Sequence, residues 1–316
     1  MNRILLCEGM TDAILLSYYL ERMCGWRFLK KPPKGLNIKP TSHNETVNWY
    51  TKGTDQERLL ICAVGGKDNF GSFFQEKLLR PLIHSDESFE KLAIVTDIDD
   101  GTIQEIESHF HELFPPLSES FCDRKWCPAT VENAYGIPTE IQTLLVTLPK
   151  DQQGALERLL LTALSENDEY DRNIIDKSCA FVHSIRPYAK RYISSDRLAQ
   201  KAELNVAFAI RSPEKVFSLI DELIRSVPWD TYPTLHECFS ELLEIYPLHL
   251  GYRVQGSQNT APLSTQWKAG RFAVFISSCD TRSRSRGRRR RGCIRAQNPS
   301  CRPLRPSCSR DGTARA

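Results

Sequence analysis

Two short apolar runs, each stopped by a carboxylate, constrain what this chain can fold into more than any other feature. The first reads Arg3-Ile4-Leu5-Leu6-Cys7-Glu8-Gly9, the second Leu92-Ala93-Ile94-Val95-Thr96-Asp97-Ile98-Asp99-Asp100-Gly101. Runs this short, rich in Ile, Leu and Val and closed by Gly, fit strands of a parallel sheet buried on both faces. In open α/β sheets the ligand crevice lies at the carboxyl ends of the strands. The expectation is that Glu8, Asp97 and Asp99 converge on one edge of one sheet. In an extended segment residues i and i+2 share a face, which aims Asp97 and Asp99 at one point and turns Asp100 aside.

Several carboxylates in one crevice repel each other unless a cation sits among them. Mg²⁺ (or Mn²⁺) is the natural candidate, since Mg²⁺ takes oxygen ligands and usually keeps waters for a phosphate substrate. Asp and Gly are also common as caps where a strand turns into a helix. Either stretch alone reads as a cap; the two together favour the metal site.

Glu8-Gly9 after a first strand, with Asp97-x-Asp99 after a later one, resembles the TOPRIM domain of topoisomerases, bacterial primases, recombination-repair proteins and OLD-type nucleases. The resemblance implies general acid/base chemistry for Glu8 and Mg²⁺ coordination by Asp97 and Asp99, with the ion where the three acids meet. Gly65-Gly66, after Leu59-Leu60-Ile61-Cys62-Ala63-Val64, falls where that family has a glycine-marked middle strand. The TOPRIM-like part covers about the first half of the chain. The remainder resembles small stand-alone TOPRIM-like proteins of bacteria and archaea, near the OLD nuclease group.

Along the chain, the first strand is expected over residues 3–7 and a helix over 13–23, capped by Thr11-Asp12, with Ile14, Leu15, Tyr18, Tyr19 and Met23 at helical spacing. Residues 25–57 are less regular, with a basic loop, Lys30-Lys31-Pro32-Pro33-Lys34-Gly35, between short edge strands. That loop reads as a solvated surface or a phosphate contact. The second strand covers 58–64, and Gly65-Gly66-Lys67-Asp68-Asn69 leads into a helix near 70–83. Glycines there let backbone N–H groups approach a phosphate, with Lys67 as a point charge, or simply make a turn. No Gly-x-x-x-x-Gly-Lys-Ser/Thr loop points to ATP. A helix over 103–113 follows the third strand and ends at Pro115-Pro116; His109 and His111, two apart, share no helical face and read as surface residues. Residues 117–140 read as an irregular connection and 141–148 as the fourth strand.

Next, Gly154-Ala155-Leu156-Glu157 opens a helix. Glu157 either complements the helix dipole or joins the other acids at the strand-end edge. Residues 166–246 are helical in pattern, over 172–185, 195–211, 213–227 and 234–245, with Ser212 and Pro213 suited to a helix start. Lys190, Arg191, Arg197 and Lys201 form a basic cluster near the active edge, read as a solvated helical face or a nucleic-acid contact.

At 316 residues the chain can hold a sizeable core in one or two domains. No apolar run approaches the ~18 residues of a bilayer span, and the N-terminus lacks a signal-peptide pattern, so no membrane association and a cytoplasmic location are expected. The eleven cysteines are scattered: Cys7, Cys62 and Cys179 read as buried thiols, and Cys122 and Cys127, with no second pair, do not make a zinc site. The net charge of +3 hides an asymmetry. Residues 281–316 hold twelve Arg, no Lys and one acid; the remainder has 30 basic and 38 acidic residues, a net charge of −8. The Arg-rich tail reads as a nucleic-acid-binding arm, a nuclear-localisation-like run or an out-of-frame extension, and its Lys-free composition favours the last.

The expected architecture is α/β: a TOPRIM-like, mostly parallel four-stranded sheet with flanking helices over 1–165, a helical C-terminal extension over 166–246, and an irregular to disordered Arg-rich tail over 247–316. The expected function is Mg²⁺-dependent phosphodiester hydrolysis or phosphoryl transfer on DNA or RNA, with Glu8, Asp97 and Asp99 as site residues and Glu157 and Lys67 as additions. The alternative is a non-catalytic metal- or nucleic-acid-binding subunit whose partner protein does the chemistry, as in a defence or repair assembly. The acidic body argues against tight DNA binding by this chain alone. The sequence shows no ATPase or gyrase-like segment, which argues against a complete topoisomerase or OLD nuclease, and no zinc-ribbon cysteine set for a primase.

Overall fold

Each strand of the central sheet sends alternate residues to opposite sides, and both sides are apolar. The computed structural model describes residues 2–36, 38–53, 57–83, 89–117, 120–132, 138–215 and 218–246. In chain order the first half contains β1 (Asn2–Cys7), α1 (Met10–Cys24), β2 (Arg27–Leu29), β3 (Thr46–Lys52), β4 (Glu57–Ala63) and α2 (Phe70–Phe73), which runs on in wider π-type turns over Phe74–Ile83. Then come β5 (Phe89–Asp97), α3 (Ile103–Leu113), β6 (Cys127–Glu132), β7 (Pro138–Leu148) and α4 (Leu156–Ser165). The helical segment supplies α5 (Glu169–Ile185), α6 (Asp196–Arg211), α7 (Ile220–Arg225) and α8 (Pro233–Cys238).

The sheet has seven strands in the order β2-β3-β4-β1-β5-β7-β6. Its centre, β4-β1-β5-β7, is parallel throughout and consists of the four strands expected from the apolar runs. The expectation of a four-stranded, mostly parallel sheet is corrected to a mixed one of seven strands: β2 and β3, the short edge strands expected on either side of the basic loop, join antiparallel at one edge, and β6 joins antiparallel at the other. β6 lies in the stretch expected to be irregular. Only Cys127 and Val131 of it are buried, and Pro128 is tolerated because the strand is at an edge.

One side of the sheet buries Leu5, Leu59, Ile61, Ala93, Val95, Leu144 and Val146 against α1, α4, α6 and α8. The other buries Ile4, Leu6, Leu60, Cys62, Leu92, Ile94 and Leu145 against Phe70, Phe73 and Phe74 and against Ile106 and Phe110 of α3. Burial on both faces explains why these strands read as unbroken apolar runs. Leu204, Ala207 and Phe208 of α6, with Ile224, Leu235, Phe239 and Leu242, belong to the first of these clusters, so the helical segment packs directly over the sheet.

Several local expectations are revised. α1 starts three residues early, at Met10, with Gly9 as its cap; Asp12 lies inside the first turn, and its carboxylate accepts the Gly9 N–H at 3.0 Å. The long helices expected over 213–227 and 234–245 are short α7 and α8, with 3₁₀ turns at Pro213–Lys215, Trp229–Thr231 and Glu241–Ile245. Pro228 and Pro233 account for breaks between them, since proline disfavours helix at the residue before it and lacks an N–H. His109 and His111 are half-buried, not surface residues. His111 Nε2 donates to the Phe121 carbonyl at 2.9 Å, tying α3 to the next loop. Cys7 and Cys62 are buried, whereas Cys179 is half-buried. Among the described residues no helix is long and apolar enough to cross a membrane. The expectations for 247–278 and for the tail 281–316 fall outside the described residues.

Candidate active site

The parallel pairing of β1 with β5 sets Cys7 beside Val95, so Glu8 leaves its strand next to Thr96 and Asp97. The Thr96 hydroxyl and the Asp97 N–H both donate to Glu8 Oε1, at 2.6 and 2.9 Å. Asp97 ends β5 opposite Leu148 of β7, and the Leu156 N–H at the start of α4 donates to Asp97 Oδ1 at 2.9 Å. Each acid thus has one oxygen fixed by hydrogen bonds and a second one turned elsewhere. Those second oxygens meet: Glu8 Oε2 and Asp97 Oδ2 lie 3.6 and 3.5 Å from Nη2 of Arg197. Asp99 Oδ1 lies 3.9 Å from Nη1 of the same guanidinium. Glu8 and Asp97 are each only 4% exposed, and Arg197 reaches them from the first turn of α6 with its side chain 47% exposed.

Asp99 arrives at this point by a different route from the one its spacing suggested. The strand ends at Asp97, and Asp99 has a left-handed backbone, φ 53°. It is held there by two hydrogen bonds with Gly154, N–H to carbonyl at 2.7 and 2.9 Å. Asp is among the few non-glycine residues that adopt this region readily. Strand alternation therefore does not aim Asp99; its pairing with the β7–α4 loop does. Asp100 is exposed.

Lys67 lies on the opposite side. Its ammonium donates to the Asp97 carbonyl at 2.7 Å and to Asp99 Oδ2 at 2.9 Å, and lies 3.9 Å from Glu8 Oε1. Of the two readings of Gly65 and Gly66, a phosphate contact or a structural turn, the contacts match the turn: both N–H groups donate to the Glu8 main-chain carbonyl, at 2.9 and 3.1 Å. Both glycines have positive φ, 82° and 135°, which this approach requires. Their role here is to hold the Glu8 backbone.

Glu157 stands in the first turn of α4 and also lines the cleft, where Lys201, one turn beyond Arg197 on α6, pairs with it at 2.6 Å. The helix-dipole and acid-edge placements thus both hold. The cleft has a volume of about 280 Å³ and is walled chiefly by Glu8, Asp12, Asp97, Glu157, Arg197 and Lys201. Burial first, then the negative charges of Asp12, Glu8, Glu157 and Asp99, push the Asp97 carboxyl well above the usual carboxylate range. Burial and the Glu8 charge push Asp12 up to about 7. Such displacement is the cost of gathering acids out of water.

Asp12 was not foreseen in the site, because an acid in a helix first turn has an ordinary explanation. Arg197 and Lys201 were foreseen only as a basic cluster near the edge; their spacing of four on one helix was the available signal. All donors at the convergence point are carboxylate oxygens, the ligands a hard divalent cation prefers, and a guanidinium already stands in as the cation. Among the described residues no three acidic, imidazole or thiol groups stand together as a ready metal site.

An α/β protein with a carboxylate cleft at the carboxyl edge of its parallel strands is the class that fold and site define. Residues 2–220 match the family described as "Protein of unknown function (DUF3226)", and the chain belongs to that family. No curated protein matches the chain. Among solved structures it is similar to "hypothetical protein PH0156 from Pyrococcus horikoshii OT3", with 18% identity, a TM-score of 0.37, and coverage of 77% of this chain and 98% of that one.

Proposed function

We propose that the cleft carries out Mg²⁺- or Mn²⁺-dependent phosphodiester hydrolysis or phosphoryl transfer on nucleic acid, as a TOPRIM-like nuclease. One observation supports this above the others: the unfixed oxygens of Glu8, Asp97 and Asp99, from the ends of two adjacent strands, all face one cationic group. Glu8, Asp97 and Asp99 would hold the divalent ion, which when bound neutralises the phosphate and polarises its oxygens. Glu8 would move the proton; in support, Thr96 and the Asp97 N–H fix one of its oxygens and leave the other directed into the cleft. Lys67 adds fixed positive charge beside Asp99.

A cleavage assay on plasmid, single-stranded DNA and RNA with Mg²⁺ or Mn²⁺ tests this. Glu8→Gln keeps the size and the accepting oxygen but cannot exchange a proton, and is expected to lower turnover by ~10²–10⁴-fold at saturating metal. Full turnover in that variant would remove Glu8 from proton transfer. The second reading is a non-catalytic metal- or nucleic-acid-binding subunit; in its favour, the chain's own Lys67 and Arg197 pair with Asp99 and Asp97 and offset their charge. Absence of cleavage by the wild type on every substrate and metal would select it.

A further inference from the structure

The connection between α5 and α6 carries a run of cations and aromatic rings, Arg186-Pro187-Tyr188-Ala189-Lys190-Arg191-Tyr192, ahead of Arg197. We propose that this connection is a binding platform for single-stranded nucleic acid, leading a strand into the acidic cleft; as a statement about substrate, it rests on the function proposed above.

Tyr188 is 92% exposed and Tyr192 71%. Exposed rings often sit on loose segments, but this one is built. Ala189 N–H donates to the Ile185 carbonyl at 3.0 Å, and Tyr192 N–H and Ile193 N–H both donate to the Ala189 carbonyl, at 2.8 and 2.9 Å. Val182, Ile193 and Ala199 form a small buried cluster beneath the connection, with Ile185 and Ala189 packed against it. Arg186 and Asp196 close its two ends with an ion pair at 2.6 Å. The apolar residues thus face in, while Tyr188, Lys190, Arg191 and Tyr192 are left outside on a fixed scaffold. The Arg191 guanidinium lies 5.6 Å from the Tyr192 ring centre, so cation and ring present one combined surface.

The charge singles out this stretch. Residues 186–201 contain five basic residues and one acid, in a chain whose residues 1–280 carry a net charge of −8. Phosphates are drawn to such a patch, and open aromatic faces accept bases that are not already stacked in a duplex. The platform is continuous with the cleft: Tyr192 precedes Arg197 by five residues, at most about 18 Å of chain, and Arg197 touches all three strand-end acids. A cleft of about 280 Å³ is at the small end for ligand pockets and suits one strand, not two.

The test measures binding alone, with the full-length chain in EDTA, by fluorescence anisotropy of a labelled oligothymidylate and of a duplex hairpin of equal length. The arginines of 281–316 contribute alike to every arm, and salt is raised until duplex binding is weak. Tyr188→Ala/Tyr192→Ala is expected to weaken single-strand binding by on the order of 10-fold or more, with duplex binding and melting temperature unchanged. Tyr188→Phe/Tyr192→Phe, which keeps the rings, restores it. Unchanged single-strand binding by the Ala variant overturns the platform, as does an equal loss on strand and duplex. No binding of either probe by the wild type also overturns it and assigns the rings to a protein partner. A single-strand preference that the Ala variant loses, in a protein that cleaves nothing, leaves the platform standing and removes the hydrolytic reading alone.

Discussion

Replacing Arg197 with Gln should make the protein bind Mg²⁺ more tightly, not less. Its guanidinium occupies the point where the free oxygens of Glu8, Asp97 and Asp99 meet, at 3.6, 3.5 and 3.9 Å. These distances are too long for strong hydrogen bonds, and the side chain is 47% exposed. Each contact is therefore treated as a solvent-screened ion pair contributing roughly 0.2–1 kcal/mol. Three sharing one cation come to about 1–2 kcal/mol, which a metal ion must overcome to displace it. Removing the competitor should raise Mg²⁺ affinity by roughly 5- to 30-fold. The same change leaves the acids less compensated without metal, so the variant should melt a few degrees lower in EDTA and recover when Mg²⁺ is added. Isothermal titration of both proteins with MgCl₂, beside melts in EDTA and in excess Mg²⁺, measures both effects. Equal or weaker Mg²⁺ affinity in Arg197→Gln would refute the idea that guanidinium and metal ion compete for one place.

Other consequences follow from the same geometry. Asp12 takes up a proton more readily in the folded protein, with its carboxyl at about 7 against an ordinary 3.8. Its contribution to stability is therefore fully present below the unfolded value and is lost as pH rises through 7. Asp12→Asn, which can still accept the Gly9 N–H, should gain melting temperature relative to wild type as pH rises from about 4 to about 7 and keep that gain above about 7; a difference independent of pH would contradict the assignment. Glu157 and Lys201 should show a coupling of roughly 0.2–1 kcal/mol in a double-mutant cycle of Glu157→Gln and Lys201→Met, read from urea unfolding. Strict additivity would mean that the 2.6 Å contact contributes nothing.

The central strands were legible because burial on both faces leaves a run of Ile, Leu and Val that no surface strand shows. β6 was not, since Pro128, Thr130 and Glu132 are exposed and its two buried residues make no pattern longer than a turn. Glu8 and Asp97 could be read from the sequence because a carboxylate abruptly ended an apolar run. Asp99 was named for the wrong reason: its position depends on a pairing with Gly154, 55 residues away, that strand alternation does not encode. The Gly65-Gly66 pair was seen, but its partner, the Glu8 carbonyl, lies just past the end of a neighbouring strand. Arg197 lies 100 residues beyond Asp97, and only packing of α6 over the sheet brings the two together. The residues of the site were thus mostly visible, whereas the contacts that orient them were set by long-range packing.

Metal binding by the strand-end acids is the claim on which the proposed chemistry depends. The most direct measurement is calorimetric titration of Mg²⁺ and Mn²⁺ into wild type and into Asp97→Asn/Asp99→Asn. Wild type should bind with a measurable heat and a stoichiometry set by the cleft, and the double variant should lose most of that affinity. Equal binding by the two proteins, or none by the wild type, would contradict it.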